Sequence, residues 1–286
     1  MNQRFFKCVS VLQLLVVLLT LCTLELPAAA DNGKAASLDL GYRDLYELDF
    51  AGAQSEFSAW GKGHPDNPLG PVSEGAGLLF SEFNRLGILQ AQFYASDTAF
   101  ASRKKLTPDT SVRDEIYATL DRSESLSRVR LGHDPKDRDA LFAMTLASGL
   151  RADYAALIEK RNLASLHYTR DASNWANQLL AVDPSCYDAH LGAGISKYIT
   201  GTMAAPVRWF LRLGGVSADK QAGMAELQLT AAKGHYLAPF ARILLAIAYV
   251  REKDIVRARE LLESLHTEFP ANPLFAQEIA RLEATH

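Results

Sequence analysis

The sequence predicts an all-α fold, and three observations support that prediction. Alanine and leucine dominate, whereas valine and isoleucine are scattered. Polar residues recur at the three- and four-residue spacing of helices and not in the alternation typical of strands. Clusters of proline with Asp or Asn separate the apolar segments, as they do where one helix ends and the next begins. With 48% hydrophobic and 22% charged residues, the 286-residue chain is neither collagen-like nor of low complexity.

The first thirty residues predict an export signal. Arg4 and Lys7 precede an apolar run over residues 8–24, and Pro27 interrupts the helix that this run favours. Ala28–Ala30 then supplies small residues at the two positions that a signal peptidase reads. We therefore expect an exported protein whose signal is cleaved near residue 30.

Cleavage would leave residues 31–286, which we expect to form a single helical-repeat domain in the periplasm or another extracytoplasmic space. The chain contains no Asn-X-Ser/Thr sequon, which favours a bacterial envelope. An uncleaved anchor stays open, because about 17 apolar residues approach the length that spans a bilayer. A lipid anchor on Cys22 is disfavoured by Leu21 before it. Cleavage would also leave Cys186 alone, so no intramolecular disulfide is expected.

Charge and motifs narrow the class of partner. The formal net charge is −3, and a mildly acidic chain attracts nucleic acid poorly, so no nucleic-acid partner is expected. No HExxH or CxxC spacing occurs and no glycine-rich loop follows a strand, so we expect neither a metal nor another cofactor. The remaining class is a protein that binds a protein or a peptide.

The first predicted hairpin follows the signal. Two antiparallel helices that approach to about 8–10 Å need small residues where they cross, and Gly41 and Ala53 supply them. Phe57 and Trp60 lie one and two turns further along the second helix, where they separate it from the next hairpin. The chain departs from this pattern over residues 75–131.

Residues 75–131 predict an enlarged hairpin and are followed by a second regular unit. We expect a long apolar helix through GLLFSEF and GILQAQFY, a basic loop, and an amphipathic helix over residues 112–129. Ala172, Ala176 and Leu179 form the buried side of a later helix that ends before Pro184. Three further segments follow in order: a helix over residues 187–200, an insert over 200–217, and a helix over 218–233 that Gly234 ends.

The last hairpin gives the clearest helical pattern. Five residues at alternating steps of three and four form one buried stripe: Ile255, Ala258, Leu262, Leu265 and Phe269. The preceding segment, residues 240–250, is apolar nearly all round, as expected of a helix between two others. A final helix over residues 273–284 is expected to cap the array.

Both terminal hairpins resemble the tetratricopeptide-repeat (TPR) family, whose unit is a 34-residue helix-turn-helix. The residues that match its packing positions are Gly41, Ala53, Phe57 and Trp60 in the first unit, and Leu245, Ala246, Tyr249, Ala258, Leu262, Leu265 and Pro270 in the last. The arrangement, including the WFLRLGG insert, is similar to exported bacterial TPR-like proteins of uncharacterised function. The resemblance implies a right-handed α-solenoid of TPR-like helical hairpins with irregular inserts.

The resemblance also implies a concave groove lined by the first helix of each unit. The residues at its groove positions are Tyr42, Leu45, Tyr46, Leu191, Ile195, Tyr198, Phe240, Ile243, Ile247, Val250 and Arg251. Tyrosines among apolar residues suit peptide binding, because each ring brings area and a polar tip at low entropic cost. We therefore expect a non-enzymatic scaffold of the cell envelope. The alternative that these residues only pack helices together stays open.

Two other functions stay open as hypotheses. Cys186 and His190 lie four residues apart near a helix start, where a thiolate is favoured, and would form a Cys-His hydrolase pair. Trp209 and Phe210, between Arg208 and Arg212, would let a membrane-associated assembly factor make peripheral membrane contact. The first needs a cleft and a group that orients the histidine, and the sequence identifies neither.

Overall fold

A computed structural model of the chain describes residues 36–89, 106–202 and 219–284, and all of them belong to one compact unit, Ala36–His286. Within these ranges the secondary structure is helical and no strand occurs, which confirms the all-α prediction. The described residues form eleven α-helices: α1 (Leu38–Tyr46), α2 (Phe50–Gly63), α3 (Leu69–Arg85), α4 (Thr110–His133), α5 (Arg138–Asp153), α6 (Asn162–Val182), α7 (His190–Thr202), α8 (Lys220–Lys233), α9 (Ala238–Arg251), α10 (Ile255–Glu268) and α11 (Pro273–Ala284).

Short polar side chains begin most of these helices. Asp and Ser at the N-cap accept hydrogen bonds from backbone N–H groups of the first turn, which would otherwise lack a partner. Asp49, Asp137 and Asp254 each accept from the N–H group three residues ahead. The Asp and Asn residues in the predicted proline clusters therefore act as N-terminal caps of helices.

The helices fall into two groups by the extent of their burial, and we call the less buried group outer and the more buried group inner. Each even-numbered helix from α2 to α10 buries a single stripe of small or apolar residues, such as Ala258, Leu262 and Leu265 of α10. The inner helices α3 and α5 are buried on most sides instead, and they also contact each other. Most consecutive helices are joined by short connections, so these neighbours are antiparallel. The two pairs with longer connections are antiparallel too, because the start of α3 contacts Ser123 of α4 and its end lies near Asp109, whereas Gly194 and Gly201 of α7 lie against Leu227 and Lys220 of α8. The odd-numbered helices therefore all run in one direction.

The third helix ends earlier than predicted. The expected helix through GILQAQFY stops at Arg85, because Gly87 adopts a left-handed φ of 73° and the Ile88 N–H group donates to the Phe83 carbonyl. This 6→1 bond is that of a Schellman motif, in which a glycine ends the helix and the next apolar residue packs back. Ile88 is fully buried and provides that contact.

The fifth helix continues into one wider turn. Residues Tyr154–Ile158 form a π-helical turn, so Arg138–Ile158 is one continuous rod of 21 residues. Among the described residues it is the one helix long and apolar enough to cross a membrane, and 72% of its most apolar window is buried inside the chain.

The ends of the described chain meet. Tyr46 of α1 donates from its hydroxyl to the Tyr236 carbonyl at 2.8 Å, and its own carbonyl accepts from Asn272 at 2.8 Å. The Ala271 N–H group donates to the Glu47 carboxylate at 2.8 Å. These contacts join α1 to the loop before α9, 190 residues away along the chain, and to the loop before α11, 224–226 residues away. We call them the closure.

Three predictions fall on residues outside the described ranges. The signal over residues 1–30 is one, and the Trp209 and Phe210 segment is another. The third is the basic loop between the two helices of the enlarged hairpin, of which only residues 106–109 are described.

Candidate functional site

The residues predicted to pack the terminal hairpins lie mostly in the core. Ala53, Phe57 and Ala258 are fully buried, and the Phe57 ring lies against Gly41, where a Cβ would overlap it. Ala246, Tyr249 and Leu262 are also buried, whereas Trp60 is partly exposed and Pro270 is exposed. Small side chains thus lie where the helices cross, in both terminal hairpins.

A closer crossing, between α7 and α8, was not predicted. A Cβ on Gly223 would lie 2.8 Å from the Gly194 carbonyl oxygen and 2.9 Å from the Tyr198 Cα. A Cβ on Gly201 would lie 2.8 Å from the Lys220 Cα. Glycines at three points along α7 and α8 therefore bring two backbones into direct contact. Gly194 and Gly223 lie on either side of the predicted insert, and Gly201 lies at its start.

The inner helices converge on an aromatic floor made of Phe80, Phe142, Tyr236 and Phe240. The Phe142 ring stacks on Tyr236 at 6.3 Å between centroids, and Phe80 meets Phe240 edge to face at 5.5 Å. Tyr42 of α1 lies against the other side of the cluster, 4.8 Å from the Tyr236 ring. Ring contacts thus join α3 to α9, and α5 to the loop before α9.

A buried carboxylate holds Tyr236 in this floor. Asp188, 5% exposed, accepts hydrogen bonds from the backbone N–H groups of His235, Tyr236 and Leu237 at 2.8–3.2 Å. Burial raises its pKa, although these three bonds oppose the rise. Gly234 is required beside it, because a Cβ there would overlap the carboxylate.

One stripe of α5 stays open above the floor. From Ala140 to Ala155 every residue is buried except Leu146, Gly149 and Asp153. At 100° per residue these three share an arc of about 60° with Phe142 of the floor. No described atom lies within 4 Å of the Cβ position of Gly149, so the described part of the chain leaves this side of α5 uncovered there.

A matching stripe of α9 rises from the same floor. Phe240, Ile243, Leu244, Ile247 and Val250 lie at three- and four-residue spacing and are all partly exposed. Because α5 and α9 run in the same direction, both stripes leave the floor toward the same end of the molecule. We call the space that they border the inner recess: the aromatic floor, the open stripe of α5 and the apolar stripe of α9.

The predicted groove residues fall into two groups. Tyr42, Leu45, Leu191 and Tyr198 are buried within the chain, and the hydroxyl of the partly exposed Tyr46 belongs to the closure. The part of the groove predicted on α1 is therefore covered by the chain's own C-terminal half. The other predicted residues keep exposed surface: Ile195, Phe240, Ile243, Ile247, Val250 and Arg251.

The surroundings of the predicted Cys-His pair do not favour a nucleophilic thiolate. Burial raises the pKa of the Cys186 thiol to about 11, which favours the protonated form. His190 hydrogen-bonds through Nδ1 to Glu226, and Lys197 donates to the same carboxylate at 2.9 Å. Burial raises the pKa of Glu226, but these two partners outweigh it and the net pKa is lowered. The histidine thus links α7 to α8.

Several residues of the inner recess were absent from the predicted groove: Leu146, Gly149 and Asp153 of α5, Leu244 of α9, and Phe80, Phe142 and Tyr236 of the floor. No TPR-like positions were assigned to α5, so the sequence pattern did not predict which face of this helix would be exposed. Across residues 36–89, 106–202 and 219–284, no three His, Cys, Asp or Glu side chains come together as they would around a metal ion. No protein-family model matches the chain, and no curated protein matches it either.

Proposed function

We propose that the protein is an exported, non-enzymatic scaffold, built as a right-handed solenoid of TPR-like helical hairpins, that holds a peptide or protein segment in its inner recess. The single observation that carries this proposal is the pair of open stripes on α5 and α9, which rise from one aromatic floor. An inner helix of a solenoid leaves only its concave side unpacked, so these stripes are where a ligand has access.

The composition of the recess favours a peptide ligand. Its floor offers rigid aromatic area, and the α9 stripe offers four aliphatic side chains at helical spacing. Such surfaces bind extended or helical peptides through several weak apolar contacts that add together. Aliphatic side chains that line a recess and contact water raise the free energy of the protein. A ligand that covers them removes this unfavourable contribution.

Site-specific photocrosslinking in intact cells tests the proposal. A photoreactive phenylalanine analogue replaces Ile247 in the recess, or Val256, which is 69% exposed on the outer helix α10. We expect crosslinked adducts of defined mass from position 247 and none of the same mass from position 256. Ile243→Ser should then reduce the yield at 247, because a hydroxyl replaces an apolar contact.

The matched control is Val256→Ser, which makes the same kind of change on the outer surface. Equal adducts from positions 247 and 256, or an Ile243→Ser variant that crosslinks as well as the wild type, would contradict binding in the recess. Circular dichroism of each variant confirms that the helical fold is intact.

A further inference from the structure

The open stripe of α5 carries one charged group, Asp153, and this group has no partner among the described residues. Of the described residues none donates a hydrogen bond to its carboxylate or forms an ion pair with it. It lies two turns above Leu146 and one turn above Gly149, on the side of α5 that faces the inner recess. A carboxylate this deep in a fold is ordinarily paired.

The charged groups on the helices that surround α5 are engaged elsewhere. Glu82 of α3 pairs with Arg85, and Asp121 and Glu124 of α4 both pair with Arg151. Arg151 lies on the opposite face of α5 from Asp153, about 160° away. Asp171 of α6 pairs with His167 at 3.5 Å. Of the α9 arginines, Arg242 pairs with Glu268, and Arg251 has a partner as well. None of the described groups forms an ion pair or a hydrogen bond with the Asp153 carboxylate.

Asp153 is partly exposed and yet poorly hydrated, and both properties are expected of a residue in the wall of a recess. Its side chain keeps part of its accessible surface, so a ligand reaches it from the open side. Burial nevertheless raises its pKa to about 7, because protein surrounds it closely enough to remove much of its hydration. A cation brought to this position would meet a carboxylate with little competing water.

We propose that the inner recess binds a peptide segment in which a lysine or arginine lies among apolar residues, and that Asp153 pairs with that cation. The inference rests on the proposed function and adds the chemistry of the ligand. Charge complementarity selects the basic residue, since Asp153 is the charged residue of the α5 stripe and no described residue pairs with it. The aliphatic stripe of α9 would cover the methylene stem and the apolar neighbours.

Selection from a random peptide library tests this inference. The protein is expressed from its full 286-residue sequence, purified in the form that the cells yield, immobilised, and exposed to phage that display random 12-residue peptides. We expect enriched peptides with one Lys or Arg flanked by apolar residues. Selection on Asp153→Asn should enrich apolar peptides without that basic residue, and selection on Ile247→Ser should enrich few peptides of either kind.

The outcomes separate the inference from the proposed function. Apolar peptides enriched without a basic residue on the wild type, or a basic residue that persists on Asp153→Asn, would overturn the role of Asp153 and leave the scaffold intact. No enrichment on the wild type beyond that on Ile247→Ser would overturn both. Asp153→Asn is nearly isosteric, and Asp153→Glu, which keeps the charge, should keep the preference for a basic residue if the fold is retained.

The affinity of one selected peptide should also depend on pH. Pairing needs the ionised carboxylate, so binding should weaken by about tenfold or more as the pH falls from 8 to 5.5. A companion peptide with norleucine in place of the basic residue should show no such change, and neither should Asp153→Asn. Fluorescence anisotropy measures all four combinations, and equal pH profiles for the two peptides would contradict the pairing.

Discussion

Two carboxylates near the centre of the molecule have opposite surroundings. Asp188 accepts three backbone hydrogen bonds, whereas Asp153 has none among the described residues. Burial raises the pKa of both, because a buried charge loses hydration. Asp188 holds the loop that carries Tyr236, and so it maintains the floor of the recess. Asp153 forms no hydrogen bond or ion pair with the described residues, as expected of a carboxylate that binds a ligand.

Asp188→Ala should lower the free energy of unfolding by about 2–4 kcal/mol, since three backbone N–H groups lose a charged acceptor. Asp188→Asn should cost less, because the Oδ1 acceptor remains for the His235 and Leu237 N–H groups. Urea unfolding followed by circular dichroism measures both. The control is Asp66→Ala at an exposed position, where we expect a change near zero. A loss no larger than that of Asp66→Ala would show that Asp188 does not hold the loop.

Asp153→Asn should stabilise the protein, and the gain should depend on pH. Because the pKa of Asp153 is about 7 when folded and near 4 when unfolded, folding opposes ionisation. The wild type therefore loses stability as the pH rises from 4 to 7, whereas the Asn variant loses none from this site. The difference should reach about 1–4 kcal/mol at pH 8, measured by urea unfolding. A difference that is equal at pH 4.5 and pH 8 would contradict a raised pKa.

At the scale of helices, glycines decide how closely neighbours pack. The two helices α7 and α8 touch through their backbones at Gly194, Gly201 and Gly223. Gly223→Ala should cost about 1–3 kcal/mol, because the added methyl group meets backbone atoms of α7 that cannot rotate away. Gly192→Ala, on the open side of α7, should be neutral or slightly stabilising through helix propensity. Equal melting temperatures for the two variants would mean that the crossing is looser than described.

Helical periodicity was sufficient to predict most helices from the sequence. The last helix was predicted over residues 273–284 and is found at Pro273–Ala284, because its apolar stripe and its Asn-Pro start are both strong local signals. The local sequence pattern did not predict where α3 ends, because a single backbone angle determines that end. The apolar letters of GILQAQFY continue the pattern of α3, but the left-handed Gly87 ends the helix.

The sequence predicted only part of the candidate site, because the rest depends on contacts between helices that are distant along the chain. Ile243 and Ile247 were found because a repeat pattern places them on the inner side of α9. Asp153 was missed because α5 matches no repeat, and an Asp at a helix end is common in any sequence. That it lacks a partner depends on where Arg151 and the charges of α3, α4 and α6 point, which no local pattern encodes.

At the scale of the whole molecule, the closure joins α1 to the connections that precede α9 and α11. Arg43 lies over the Phe269 ring at 5.9 Å, and Tyr46 packs against the same ring at 5.4 Å. A linear repeat array unfolds from its ends, since each unit contacts only its neighbours. Closure removes that freedom, because α1 cannot leave without exposing Phe269 and breaking the bonds to Tyr236 and Asn272.

Asn272→Ser tests whether the closure makes the two ends cooperate. Asn272 caps α11 through Oδ1 and donates through Nδ2 to the Tyr46 carbonyl, so serine keeps a cap and loses the closing bond. We expect hydrogen exchange to accelerate both around residue 272 and in α1, which lies at the other end of the described chain. Asn67 is the matched control, because it also caps a helix and donates to a neighbouring one, through Asp139 of α5. Asn67→Ser should accelerate exchange only in adjacent helices, and an Asn272→Ser variant with α1 as protected as in the wild type would contradict a cooperative closure.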